Sequence, residues 1–199
     1  MMTARKLDVG DRPSLRKYRN PRDGYMHVQL TLGDTYVTSS PEELLTTILG
    51  SCISACIRDP VAGIGGMNHF LLPDGNAGDR RARCYGVNAM ELLINEILKH
   101  GGDRRRLEAK IFGGANVVSA LTDVGSRNSS FARQFLTDEG IRIVGGDLGG
   151  SAARRIQFIP ATGRARQAVV RGNGRLAQME LSALNAKVET APEADVEFF

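Results

Sequence analysis

Residues Leu45 to Pro73, LTTILGSCISACIRDPVAGIGGMNHFLLP, constrain the fold more than any other stretch of this chain. Ile53, Ala55 and Ile57 alternate with Cys52, Ser54 and Cys56, the period of two that a strand requires, with the thiols opposite the isoleucine face. Asp59-Pro60-Val61-Ala62-Gly63 then supplies turn chemistry, because Pro presets a turn φ and Gly accepts a positive one. A second apolar run, Ile64 to Leu72, leads back and stops at Pro73. The stretch reads as a β-hairpin.

A turn centred on Pro60-Val61 pairs residues whose numbers sum to about 121, which sets Cys52 opposite His69 or next to it. Directly opposite residues have Cβ atoms roughly 4.5–5.5 Å apart, close enough for a thiol and an imidazole to share a proton. The thiolate is the nucleophilic form of cysteine, and a nearby imidazolium favours it. Plain packing of a buried Cys and His is the competing reading, and spacing alone leaves both open. Cys56 lies two pleats from Cys52, roughly 13 Å along a regular strand, too far for a disulfide. Zinc lacks a fourth ligand near Cys52, Cys56 and His69 unless Cys84 folds back, so no metal is expected.

With 199 residues, 42% of them apolar, the chain suits one domain with a sizeable core. No run approaches the roughly 18–20 apolar residues of a membrane span, and the first residues lack the apolar centre of a secretory signal. Three cysteines outside any disulfide framework point to reduced thiols in the cytoplasm. Residues 1–22 hold seven Lys or Arg against two Asp. Without interleaved aromatics this basic stretch reads as a solvated extension and not a nucleic-acid platform.

Along the chain, His27–Leu32 and Asp34–Thr38 read as short strands, with His27 at the surface. Leu44–Thr47 is either one helical turn or the approach to the central strand. The Gly-, Asp- and Arg-rich stretch after Leu72, through Cys84 to Gly86, reads as an aperiodic loop, either a flap over the site or, as its composition favours, a disordered segment. Val87, Met90, Leu93, Ile94, Ile97 and Leu98 recur at helical spacing, with Lys99, His100 and Gly101-Gly102 closing that helix. Leu107–Phe112 predicts a buried strand ended by Gly113-Gly114, and a second helix starts near Val124 and ends at Gly140. Ile141–Val144 is a further strand, and Arg155–Ile159 with Gln167–Arg171 flanks the turn Pro160–Gly163. Strands and helices mix without βαβ alternation, which predicts an α+β fold with a mixed sheet.

TTILGSCISACIRDP followed by GGMNHFLLP resembles the signature of the CheD family, the chemoreceptor glutamine deamidases of bacterial chemotaxis. LEAKIFGGA (107–115), VGSRN (124–128) and DLGG (147–150) extend the resemblance over roughly Tyr36 to Arg171. It implies a mixed β-sandwich of two sheets flanked by helices, similar to the catalytic domain of cytotoxic necrotizing factor toxins. It also implies Cys52 as nucleophile, His69 as general base, and Thr46, six residues before the cysteine, as the hydroxyl that orients the imidazole. Thr47 stands beside Thr46, and spacing does not choose between them. Gly50 and Ser51 would free the backbone to form an oxyanion site, with no cofactor or metal.

The implied substrates are glutamine side chains of methyl-accepting chemotaxis receptors. The implied partner is a CheC-type phosphatase, and the implied location is at receptor cytoplasmic domains, without nucleic acid or membrane insertion. On this reading residues 1–26 are a flexible basic extension, 27–178 the deamidase domain and 179–199 a variable tail. A binding adaptor with little catalysis, or another Cys–His amidase or peptidase, would share the same residues.

Overall fold

The computed structural model describes residues 15–72, 80–117 and 122–170. Among these residues ten strands form two five-stranded sheets, and two α-helices pack on one of them. In chain order the strands are β1 (Arg16–Arg19), β2 (Met26–Gln29), β3 (Thr35–Thr38), β4 (Glu43–Leu49), β5 (Ile53–Asp59), β6 (Ile64–Asn68), β7 (Glu108–Gly113), β8 (Arg142–Leu148), β9 (Arg154–Ile159) and β10 (Arg164–Val169). The helices are α1 (Arg80–Lys99) and α2 (Thr122–Asp138), with a 3₁₀ turn at Arg104–Arg106.

The first sheet runs β1-β2-β4-β9-β10 and the second β3-β6-β5-β7-β8. Each contains one parallel pair, β2 with β4 and β7 with β8, so the fold is α+β with two mixed sheets, as expected. The chain leaves the first sheet after β2, lays down β3 in the second, and returns as β4 beside β2. The first sheet reaches back to Arg16, because β1 pairs along its whole length with β2. The sheet therefore takes in part of the stretch assigned to a flexible extension; residues 1–14 and 171–199 lie outside the described residues.

Two apolar layers hold the structure. Val28, Leu45, Leu49, Ile156 and Phe158 of the first sheet meet Tyr36, Met67 and Phe112 of the second, with Cys52 and Cys56 among them. On the far side of the second sheet, Ile53, Ile57, Ala109 and Ile111 pack against Met90, Leu93, Ile94 and Ile97 of α1 and Phe135 and Leu136 of α2. The alternation read from β5 thus divides one strand between two cores.

Helix α1 begins at Arg80, earlier than the apolar periodicity suggests, so Cys84 is helical and exposed. The first turns expose Arg80, Arg83 and Cys84, which weakens the apolar signal there. Any flap at 73–79 lies outside the described residues. The helix ends as expected, with His100 Nδ1–H donating to the Glu96 carbonyl at 2.7 Å.

Candidate active site

The hairpin that carries Cys52 and His69 is closed by Asp59, whose Oδ1 accepts from the N–H groups of Val61 at 2.9 Å and Ala62 at 3.1 Å. Gly63, at φ +65, returns its N–H to the Asp59 carbonyl at 3.0 Å. This turn centres the loop one residue later than Pro60-Val61, so Asp59 faces Ile64 and Cys56 faces Met67. Ile53 and Phe70 keep the same register and exchange both backbone hydrogen bonds at 2.9 Å.

Cys52 therefore stands opposite Leu71, and His69 opposite Ser54, a correction of two residues to the expected pairing. A shift of two preserves the face. Cys52 and His69 remain diagonal neighbours on the inter-sheet side, a relation that spans roughly 7–8 Å between backbones and less between side chains. Both are buried, Cys52 at 1% exposure and His69 at 6%.

The imidazole is fixed from two directions. Its backbone N–H donates to Asp34 at 3.0 Å and its carbonyl accepts from Gly33 at 2.7 Å. Its Nδ1 lies 2.8 Å from the Thr47 hydroxyl, which is also 2.9 Å from the Leu30 carbonyl. A hydroxyl has one proton and a carbonyl can only accept, so Thr47 donates to Leu30 and accepts from His69 Nδ1–H. That assigns the tautomer whose Nε2 carries the basic lone pair.

Thr46 does not take part. Its side chain lies on the other face of β4 and its hydroxyl donates to the Ile156 carbonyl at 3.0 Å. Adjacent strand residues point to opposite faces, so only one of two neighbouring threonines can look into the sandwich. The hydroxyl that orients His69 is Thr47, and the assignment to Thr46 is corrected.

The segment before β5 is held by its carbonyls. Gly50 accepts from Ala115 N–H at 2.8 Å and Cys52 from Gly114 N–H at 2.8 Å. Ser51 accepts from the Asn128 side chain at 2.9 Å. Gly113 permits this contact: at φ +118, a Cβ there would lie 2.0 Å from the Cys52 carbonyl oxygen.

Asn128 is fully buried and also accepts, through Oδ1, from Leu72 N–H at 3.0 Å. It ties α2 both to the residue before Cys52 and to the segment that follows His69. Sequence reasoning placed it only in a helix start; the VGSRN motif was the available signal. The Gly114–Asn116 loop is braced in turn by DLGG, with Asn116 N–H to the Gly150 carbonyl and Gly149 N–H to the Gly113 carbonyl, both 2.8 Å. Arg154, nearly buried, holds Asp147 through an ion pair of 2.8 Å and also donates to the Gly149 carbonyl.

Cys56 has a different environment. Burial pushes its thiol up to about 12, so it stays protonated at neutral pH. Among the described residues no three His, Cys, Asp or Glu side chains converge as a metal site.

A model of the CheD family, described as CheD chemotactic sensory transduction, matches residues 71–168. A probable chemoreceptor glutamine deamidase CheD of Caulobacter vibrioides (strain NA1000 / CB15N) is 57% identical over 145 residues, 72% of this chain and 78% of that one. The chain belongs to the CheD family.

Further CheD relatives bear the same description. That of Caulobacter sp. (strain K31) is 51% identical over 176 residues, 86% of this chain and 92% of that one. That of Rhizobium etli (strain CIAT 652) is 49% identical over 177 residues, covering 86% and 95%. Cys52 and His69 precede the residues matched by the CheD family model, whereas Asn128 and the DLGG brace fall within them. Among solved structures, Neisseria meningitidis protein NMB0706 aligns at TM-score 0.40 with 13% identity, over 59% of this chain and 53% of that one. No described helix is long and apolar enough to cross a membrane.

Proposed function

We propose that this CheD chain is an amide hydrolase that converts glutamine side chains of chemoreceptors to glutamate, releasing ammonia, with Cys52 as nucleophile. The observation that carries the reading is the Thr47–His69 hydrogen bond, which leaves imidazole Nε2 basic on the face it shares with Cys52.

The thiol passes its proton to His69 as sulfur adds to the side-chain carbonyl, giving a tetrahedral oxyanion. His69 then protonates the nitrogen, the C–N bond breaks, and ammonia leaves behind a thioester. Water, deprotonated by His69, adds to the thioester carbonyl; collapse releases glutamate and returns the proton to sulfur. Thr47 holds the imidazolium in the place where other triads use Asp or Asn.

Gly50 and Ser51 support the oxyanion through their backbone. In a planar trans peptide each carbonyl opposes the following N–H. Anchoring the Gly50 and Ser51 carbonyls to Ala115 and Asn128 therefore aims the N–H groups of Ser51 and Cys52 the other way. One such donor is typically worth about 2.7–4 kcal/mol in the transition state. Because Cys52 is buried, the substrate glutamine reaches it only when the surrounding side chains part. By family resemblance the protein acts in the cytoplasm at receptor cytoplasmic domains, with a CheC-type phosphatase as a further partner.

The test is mass spectrometry of a chemoreceptor cytoplasmic fragment after incubation. Each converted site gains about one dalton as NH₂ is exchanged for OH, and the polypeptide stays intact. Cleaved fragment would indicate a peptidase. Binding without any mass gain would indicate an adaptor.

A further inference from the structure

Both helices pack against the second sheet, so among the described residues no helix covers the outward face of the first sheet, and a hollow of about 170 Å³ lies on it. Thr46 of β4, excluded from the Cys52 side, forms part of its wall with Tyr18, His27, Gln29, Arg155 and Gln157. His27 is not the surface residue expected from the sequence: only 3% of it is exposed, and its Nε2 lies 2.9 Å from Asp23.

Several polar groups of this wall are already engaged with one another. Gln157 Oε1 already accepts from Arg166 Nε at 2.6 Å, which leaves its NH₂ group to offer. Asn20 Oδ1 accepts from Arg22 N–H at 3.0 Å, and Thr46 spends its proton on Ile156. Among the described residues no carboxylate lines the hollow, and Asp23, bonded to the lining His27 at 2.9 Å, is also 3.8 Å from Arg166. Arg155 is exposed and forms no ion pair among the described residues. The Arg155 guanidinium and the Gln157 NH₂ group thus present a positive charge and donors on one strand face, an arrangement that recognises an anion with several oxygens.

We propose that this hollow binds a small oxyanion, with Arg155 and the Gln157 amide as its principal donors and Gln29 beside them. The site is independent of the deamidase reading. It is a neighbour of His69 through one strand, since Thr46 of its wall adjoins Thr47, whose hydroxyl bonds the imidazole on the other face.

The test is NMR titration of the full chain with sodium phosphate and, separately, sodium succinate, against sodium chloride at matched ionic strength. The expected result is a saturable shift of the Arg155, Gln157 and His27 side-chain resonances with at least one oxyanion. Arg155→Gln should weaken that binding by about tenfold or more, as loss of a charge-assisted donor predicts. Saturation by phosphate alone assigns a phosphoryl group, and saturation by succinate alone assigns a carboxylate. Shifts no larger than those with chloride, or an affinity that Arg155→Gln leaves unchanged, overturn the proposal. Arg155 is exposed, so the substitution leaves the sheet's packing intact, and Gln157→Leu supplies a second variant with the same expectation.

Discussion

The Thr47 hydroxyl lies 2.8 Å from His69 Nδ1 and hands its own proton to Leu30, so the histidine is held as the tautomer with a basic Nε2. Thr47 comes from the first sheet and His69 follows β6 of the second, so this single bond crosses the sandwich. Replacing Thr47 by Val is expected to lower kcat by about 10–100-fold, the usual cost of losing the group that orients a functional histidine. Thr47→Ser should restore most of the rate. Thr46→Val should leave kcat within about threefold while costing about 1 kcal/mol of stability through its lost bond to Ile156. Steady-state ammonia release and thermal unfolding of the three variants check this.

Asn128 offers a different test, because both ends of its side chain are engaged. Asn128→Ala leaves the Ser51 carbonyl and the Leu72 N–H without their partner in a buried setting, at about 1–3 kcal/mol for each. Asn128→Asp keeps the acceptor for Leu72 but sets an oxygen against the Ser51 carbonyl. In the acid form its O–H can donate there, so activity relative to wild type is expected to recover as pH falls. A pH–rate profile of the variant divided by that of wild type measures the effect, and a flat ratio would contradict it.

The three cysteines are expected to react with iodoacetamide in a fixed order. Cys84 is exposed on α1 and should be modified first. Cys52 and Cys56 are each 1% exposed and lie in the same inter-sheet layer, but burial holds the Cys56 thiol up at about 12, while Cys52 is the cysteine proposed to be activated by His69. Cys52 should therefore be alkylated before Cys56, which waits for unfolding. Peptide mapping over time gives the order, and equal rates at Cys52 and Cys56 would count against activation by His69.

Asp59 links the hairpin turn to acid stability. Hydrogen bonds from Arg106, at 2.6 Å to Nη2, and from the backbone of Asp103, Val61 and Ala62 hold its carboxyl well below the ordinary 3.8. A depressed folded value means that the unfolded chain binds more protons, so the stabilisation is complete above about pH 4 to 5 and is lost on further acidification. Asp59→Asn should destabilise by about 2–3 kcal/mol at neutral pH, a modest figure because Arg106 is partly exposed. The gap in Tm should narrow as pH falls below 4. Thermal melts across pH 2.5–7 would show whether the two curves converge.

Much of this architecture is legible in the sequence where local pattern decides it. The alternation in Ile53–Ile57 fixes a strand and its faces, and the spacing of Met90, Leu93, Ile94 and Ile97 fixes the buried side of α1. The hairpin register was missed by two because it depends on how the Asp59 side chain caps the turn, which residue identity alone does not settle. Whether Thr46 or Thr47 faces inward follows from the pairing of β4 between β2 and β9, partners distant in sequence. His27 looked peripheral because its burial is made by Tyr18, Asn20 and Asp23 folding over it. Asn128 was invisible as a clamp because its partners, Ser51 and Leu72, belong to other elements.

The covalent step gives the most direct measurement of the Cys52–His69 pairing. Reaction of the full chain with a chemoreceptor fragment, quenched with acid in the first turnover, should yield an enzyme–substrate thioester that maps to the peptide carrying Cys52. Cys52→Ala should lose both that adduct and ammonia release while still binding the fragment. An adduct on another residue, or ammonia released by Cys52→Ala at a rate near that of wild type, would contradict the assignment.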